Sequence, residues 1–243
     1  MPWKRPVDVT PRVWRRFKGT ARDGAPAPNY QIRDVDEKEK ERCLDFLQEI
    51  FLRDEPLCQA LNITVDPVSV NTIMSNWRHL IDESISLACY TEDSHGCPDQ
   101  LAAVDLCAVL SLHDDDQDMG DQLGVPWSQL LSTLTAVEAR SNIFKRYAVE
   151  AHFSSHVLAA SPEHRGHGVG VEMFRATEDL AKALGLEAMA ITATAYSSQA
   201  LCKKCGYEEL VDMPYSDMLE QGIDLSNCST PSAKVFAVYL GSS

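Results

Sequence analysis

The segment best suited to chemistry runs Leu158-Ala159-Ala160-Ser161-Pro162-Glu163-His164-Arg165-Gly166-His167-Gly168-Val169-Gly170 and leads straight into a helical pattern of apolar residues. Glycines at 166, 168 and 170 let the chain turn tightly and approach a ligand with no β-carbon in the way. Amide N–H groups at a helix start lack intrahelical acceptors, and the helix dipole favours negative charge there. The segment therefore reads as a pyrophosphate cradle. Neither common nucleotide loop accounts for it. A Walker loop ends in Gly-Lys-Ser or Gly-Lys-Thr, which Val169-Gly170-Val171 is not, and the Gly-x-Gly-x-x-Gly register of a dinucleotide site fails beyond Gly168.

Other groupings that invite chemistry fail on spacing. Cys202-Lys203-Lys204-Cys205 is a single C-x-x-C inside a helical pattern, with no second ligand pair for zinc, and reads as packing. His152 and His156 stand four apart in a strand-like context, without the Glu of a zinc helix, and read as core or cleft histidines. The acidic loop 113–121 departs from the EF-hand template, with Met119 where glycine belongs and Val125 where the bidentate Glu is needed, so it reads as a solvated loop. No metal is expected.

The elements that must position the cradle follow from periodicity. Alternation predicts a strand over 30–35; Asp36 then offers an N-cap for a helix through Cys43, Leu44, Leu47, Ile50 and Phe51, which Pro56 ends or kinks just beyond Asp54-Glu55. A second helix is expected around Val68–Ile81. Strands over 84–91 and 101–112 form a hairpin about Gly96-Cys97-Pro98. A helix near 127–141, a strand over 150–160 and a helix over 168–184 follow, the last stopped by Gly185 with Leu186 as the apolar partner of a Schellman cap. Strands at 187–194, 207–212 and 234–240 and a helix near 198–204 complete an α/β sheet with a mixed edge.

At 243 residues the chain suits one domain, and its 44% hydrophobic and 24% charged residues suit a globular one. No apolar run is long enough for a membrane span, and Met1-Pro2-Trp3-Lys4-Arg5-Pro6 does not open a secretory signal, so a cytoplasmic protein is expected, with its eight cysteines as thiols. The net charge of −14 is uneven: seven basic residues against Asp8 alone put +6 on residues 1–22 and leave −20 on the rest. So acidic a body repels nucleic acid and attracts small cations such as amines. The Arg-rich start invites a mitochondrial transit reading, but Pro2, Pro6 and Pro11 spoil an amphipathic helix. Residues 1–29 are expected to be a basic arm and linker, with Trp3 and Trp14 packed on a domain spanning 30–243.

A strand, then Arg165-Gly166-His167-Gly168-Val169-Gly170 as Arg-x-x-Gly-x-Gly, then a helix, resembles the acetyl-CoA motif of the GNAT superfamily of N-acetyltransferases. The resemblance spans roughly residues 30–240. It looks closest to the insect arylalkylamine (dopamine-type) N-acetyltransferases and their relatives, through Asp54-Glu55-Pro56, Asn142-Ile143-Phe144, and Thr194-Ala195-Tyr196-Ser197-Ser198 leading to Lys204-Cys205-Gly206-Tyr207. It implies a GNAT fold: a central, mixed, mostly antiparallel sheet flanked by helices, with strands splayed at the acetyl-CoA cleft. By the same resemblance Glu55 is the general base, Asp54 and Pro56 adjoin the substrate, and Arg165, Gly166, His167, Gly168, Val169 and Gly170 hold the cofactor, His167 by its backbone. Amides along Leu158, Ala159 and Ala160 are expected to hold the thioester. Cys202 stands where many relatives carry a tyrosine acid, so Ser198 and Thr194 take that role in the resemblance, with Tyr196 in reserve.

The implied reaction moves an acetyl group from acetyl-CoA to a primary amine such as dopamine, tyramine, serotonin or tryptamine, by a monomer without nucleic-acid or membrane partners. Two alternatives stay open at this stage. One is an acyltransferase for agmatine, polyamines or other amines, or with longer acyl-CoA donors; the other is a CoA-binding module without turnover.

Overall fold

The strands are β1 (Val13–Lys18), β2 (Asn29–Asp34), β3 (Leu87–Glu92), β4 (Pro98–Ser111), β5 (Ala151–Ala160), β6 (Ala188–Ala193), β7 (Glu208–Pro214) and β8 (Ser232–Tyr239). In the computed structural model, which describes residues 5–22, 26–112 and 123–241, they form one sheet in the order β1-β2-β3-β4-β5-β6-β8-β7. Every pairing is antiparallel except that of β5 with β6. The acidic loop 113–121 and Trp3 lie outside the described residues. Among the described residues no helix is long and apolar enough to cross a membrane.

Helices cover both faces. Helix α1 (Lys40–Asp54) buries Cys43, Leu44, Leu47 and Ile50, the helical stripe seen in the sequence. It stops where Pro56 biases the residue before it out of the helical region: Glu55 has φ −76° and ψ 127°. Pro56 then begins a second, short helix, α2 (Pro56–Ala60), where its missing N–H costs nothing. With α3 (Pro67–Asp82) and α4 (Val125–Glu138), α1 encloses one apolar core against the sheet. A single-turn α5 (Ile143–Tyr147) precedes β5.

The opposite core lies under α6 (Val169–Ala183), which buries Val169, Met173, Phe174, Leu180 and Ala181 against Tyr30, Phe153 and Phe236. Burying each large apolar side chain stabilises the fold by about 1.5–3 kcal/mol. The expected Schellman cap closes α6, with Leu186 N–H donating to Ala181 O (3.0 Å) and Gly185 N–H to Lys182 O (3.0 Å). Helix α7 (Tyr196–Lys204) follows β6.

The N-terminal segment is part of this sheet. Val13-Trp14-Arg15-Arg16-Phe17-Lys18 pairs with β2 as its edge strand, so a boundary at residue 30 falls between two bonded strands. Three charges hide that strand in the sequence, and acids elsewhere in the chain meet three of the arm's arginines. Arg5 pairs with Asp34, Arg15 with Asp179 (2.7 Å) and Arg16 with Glu92. Trp14 donates its indole N–H to Asp34 (2.7 Å).

Asp105, fully buried on β4, accepts from Ser155 of β5 (2.6 Å) and Thr177 of α6 (3.1 Å) and so ties sheet to helix. Burial pushes its carboxyl up to about 6, against the two hydroxyl donors. A carboxyl raised on folding stabilises the protein at low pH and loses that contribution as pH rises from about 4 towards 6. Asp105→Asn is therefore expected to raise Tm relative to the wild type at pH 7.5 and to lose that advantage at pH 4. Parallel melting curves at the two pH values check the sign.

Candidate active site

Parallel pairing between β5 and β6 covers only Phe153–Ser155 opposite Met189–Ile191. Beyond it β5 runs on to Ala160 against β4 alone, and a register shift between Leu106 and Cys107 leaves His156 as the extra residue of a bulge. Ser161 N–H donates to Ala102 O (2.9 Å), so by strand alternation the amides of Leu158 and Ala160 face away from β4, into the opening, and that of Ala159 faces β4. Two of the three amides expected at the thioester thus line a V-shaped cleft. His156 is solvent-exposed. His152 is buried and donates Nδ1–H to Phe153 O (3.2 Å).

The glycine segment closes the β5 side of the cleft. Gly166 and Gly168 have φ +80° and +90°, a region where a β-carbon is strained, and Gly168 is the N-cap of α6. Among the described residues, no protein group accepts in good geometry from the amides of Gly166, His167, Gly168, Val169 and Gly170. A row of unspent donors at a helix start fits a diphosphate. Gly170 serves packing as well: a β-carbon there would lie 3.0 Å from Leu201 of α7. Arg165 is committed, donating Nε–H to Ala160 O (2.9 Å) and pairing through Nη2 with Asp54 (2.6 Å).

The end of α1 spans the cleft. Asp54 bonds Arg53 (2.7 and 3.0 Å) as well as Arg165, and these arginines, Arg53 first, hold its carboxyl at about 2. Glu55, only 8% exposed, accepts from Cys58 N–H (2.6 Å) as the N-cap of α2 and from the Thr194 hydroxyl (2.8 Å) beyond β6. Residues 54 and 55 thus reach opposite arms of the V, and the sequence-predicted acid and hydroxyl meet across 139 positions. Pro56 is buried beside them. Ser198 behaves differently: its hydroxyl donates to Ala195 O (2.8 Å) at the start of α7, a capping contact. Tyr196 is 61% exposed.

Sequence reading missed two neighbours of this acid. Thr230 donates to Thr194 O (2.7 Å) and fixes the turn that carries the hydroxyl. Tyr215 is buried with an unpartnered hydroxyl, raised by desolvation and by charges that include Glu55. Both lie in the 3-10 turn and loop between β7 and β8, a segment without periodicity. A separate cavity of about 470 Å³ is lined by Glu138, Asn142, Phe144, His152 and Thr192 among others. Glu138 accepts from Thr192 (2.7 Å) there and is raised by burial.

Known proteins agree with this geometry. Residues 140–207, from before β5 to the turn after α7, match the acetyltransferase (GNAT) family. The fold superposes with TM-score 0.90 on a protein of the yellow fever mosquito Aedes aegypti, provisionally named insect arylalkylamine N-acetyltransferase 7. That protein is 26% identical, with 98% of this chain and 100% of that chain covered. Arylalkylamine N-acetyltransferase 2 of the same mosquito (TM-score 0.72, 19% identity, 87% of this chain and 99% of that one) shares the fold. So does a polyamine N-acetyltransferase of Drosophila melanogaster that forms N-acetylagmatine (0.69, 18%, 86% and 99%). No curated protein shares detectable sequence similarity with the chain. Residues 140–207 thus match the GNAT acetyltransferase family, and the fold resembles that of the first mosquito protein over 98% of the chain.

Gly168→Val is expected to abolish binding of free coenzyme A, measured by calorimetry. Gly185→Val, strained alike at φ +77° with open space around it but at the far end of α6, should lower Tm and leave binding intact. Equal binding by both variants would show that the glycine turn does not hold the nucleotide.

Proposed function

We propose that the protein transfers the acetyl group of acetyl-CoA to the primary amine of an arylalkylamine, in the cytoplasm and as a monomer. The observation that carries this reading is the Glu55–Thr194 hydrogen bond at the mouth of the V. The residues that would hold the co-substrate are the 166–170 amides, for its diphosphate, and Leu158 and Ala160, for its acyl arm. When bound, acetyl-CoA supplies an activated acyl thioester.

The chain's own work is proton traffic and positioning. An amine arrives mostly protonated and must lose a proton to become a nucleophile. Thr194 gives its proton to Glu55, so its lone pairs are free to accept one from the amine, which hands the charge to a carboxylate already held by the Cys58 amide. General base catalysis of this kind is worth about 10²–10⁴-fold. An amide from Leu158 or Ala160 that meets the thioester oxygen is worth about 3 kcal/mol more. Ser198, by turning its hydroxyl away from Ala195 O, would hydrogen-bond the departing sulfur and relay to it a proton drawn from solvent water, with Thr194 the second candidate for that role. Asp54 keeps Arg165 fixed over the end of β5, and Pro56 forms an apolar wall beside the base.

The acidic body also suits agmatine or a polyamine, and an amine panel with acetyl-CoA, read by thiol release, separates the readings. Turnover highest with tyramine, dopamine, serotonin or tryptamine supports the proposal; turnover highest with agmatine or spermidine replaces the acceptor. Stabilisation by acetyl-CoA without turnover of any amine makes the domain a binding module. Glu55→Gln should lower kcat/KM by about 10²-fold or more and remove the fall in activity on the acidic side of the pH profile, and Thr194→Val should lower kcat more than it changes KM. A near-wild-type pH profile for Glu55→Gln would remove that residue from the mechanism.

A further inference from the structure

An acidic body that must bind a coenzyme bearing several phosphate charges needs cations at the right place, and the motif arginine is already spent. Arg165 is neutralised by Asp54, and its Nε–H is used on Ala160 O. The structure brings other groups to the cradle, from the turn that follows β1. Thr20 N–H donates to His167 O (2.9 Å), and His167 Nδ1–H donates back to Thr20 O (2.6 Å), so the imidazole clips the N-terminal segment onto the glycine turn. Arg22 donates Nη1–H to Arg165 O (2.7 Å). A β-carbon placed on Gly166 would lie 2.5 Å from Arg22 Nη1, and one on Gly168 would lie 3.8 Å from Thr20 Oγ1. The guanidinium and the hydroxyl therefore stand against Gly166 and Gly168, two of the three glycines whose amides are unspent.

Arg5, Arg15 and Arg16 are paired with carboxylates of the body and Arg12 lies over the Trp14 ring, whereas among the described residues no carboxylate lies within ion-pair distance of Arg22, which alone of the arm's arginines reaches the glycine turn. Its side chain is exposed and held only through a carbonyl, which leaves other N–H donors of its planar fork available.

We propose that residues 18–22 form a third wall of the coenzyme site, in which Arg22 binds a phosphate of coenzyme A and Thr20, locked by His167, adds its hydroxyl. This rests on the acetyl-CoA reading above and extends it to a part of the chain outside the glycine motif. Hydrogen bonds from a charged donor are worth about 1.5–3 kcal/mol, which sets the expected loss at roughly 10- to 100-fold in affinity.

The test is calorimetric titration of the full chain, as wild type, Arg22→Ala and Arg22→Lys, with coenzyme A and with dephospho-coenzyme A, which lacks the 3′-phosphate. Melting curves without ligand establish that the variants fold, as expected for an exposed side chain. The expected result is weaker binding by Arg22→Ala, partial recovery with Arg22→Lys, and a smaller dependence on salt for the alanine variant. A loss of equal size with both ligands assigns Arg22 to the diphosphate; a loss confined to coenzyme A assigns it to the 3′-phosphate. Wild-type affinity in a folded Arg22→Ala overturns the inference and leaves the acetyltransferase reading standing. Failure of the wild type itself to bind coenzyme A overturns that reading instead.

Discussion

Parallel pairing between β5 and β6 stops at Ser155 and Ile191, and the rest of the site depends on that separation. A strand edge left open in mid-sheet presents unpaired amides and carbonyls, which proteins ordinarily cover. Here the bulge at His156 turns β5 away from β6, and the exposed edge becomes a row of donors pointing into a cleft. The Ala160 carbonyl on that edge is met by Arg165, and the opening remains available to a ligand that brings its own acceptors.

The end of α1 bridges the gap because Pro56 interrupts the helix there. One carboxylate, Asp54, turns to the β5 side and the next, Glu55, to the β6 side. A continuous helix would send consecutive side chains about 100° apart on a single cylinder, whereas the extended backbone at Glu55 lets the second acid cap α2 and reach Thr194 together. The geometry that makes Glu55 a helix cap therefore also sets it where the proposed mechanism needs a base. A capping carboxylate has few rotamers open to it, and a base that is already oriented loses little entropy when substrate arrives.

Much of the fold was legible because it rests on local periodicity. The stripe of α1, the helix α6 with its Gly185 cap, and strands β2, β4, β5 and β6 follow from side-chain spacing and turn residues that act within a few positions. Strand β1 was not legible, since Trp14, Arg15, Arg16 and Lys18 look like a solvated arm until Glu172, Asp179 and Glu92 are brought beside the arginines. Nor could spacing reveal that β8 inserts between β6 and β7, a register decided by pairing at long range. The basic N-terminus and the acidic body, opposed in composition, proved to be interleaved charges of one sheet edge.

By itself the sequence determined the glycine turn, the helix behind it and the Asp-Glu-Pro break, because backbone freedom, dipole and proline sterics are properties of residues and their nearest neighbours. It could suggest that Glu55 and Thr194 work together only through resemblance. Tertiary structure alone decided that the two share a hydrogen bond, that Ser198 spends its hydroxyl on a helix start, and that Thr20 and Arg22 lie over the glycine turn. The physical reason is that hydrogen bonds and ion pairs act over a few ångströms in space. Residues 22 and 165, or 55 and 194, come within that range only after the sheet has closed.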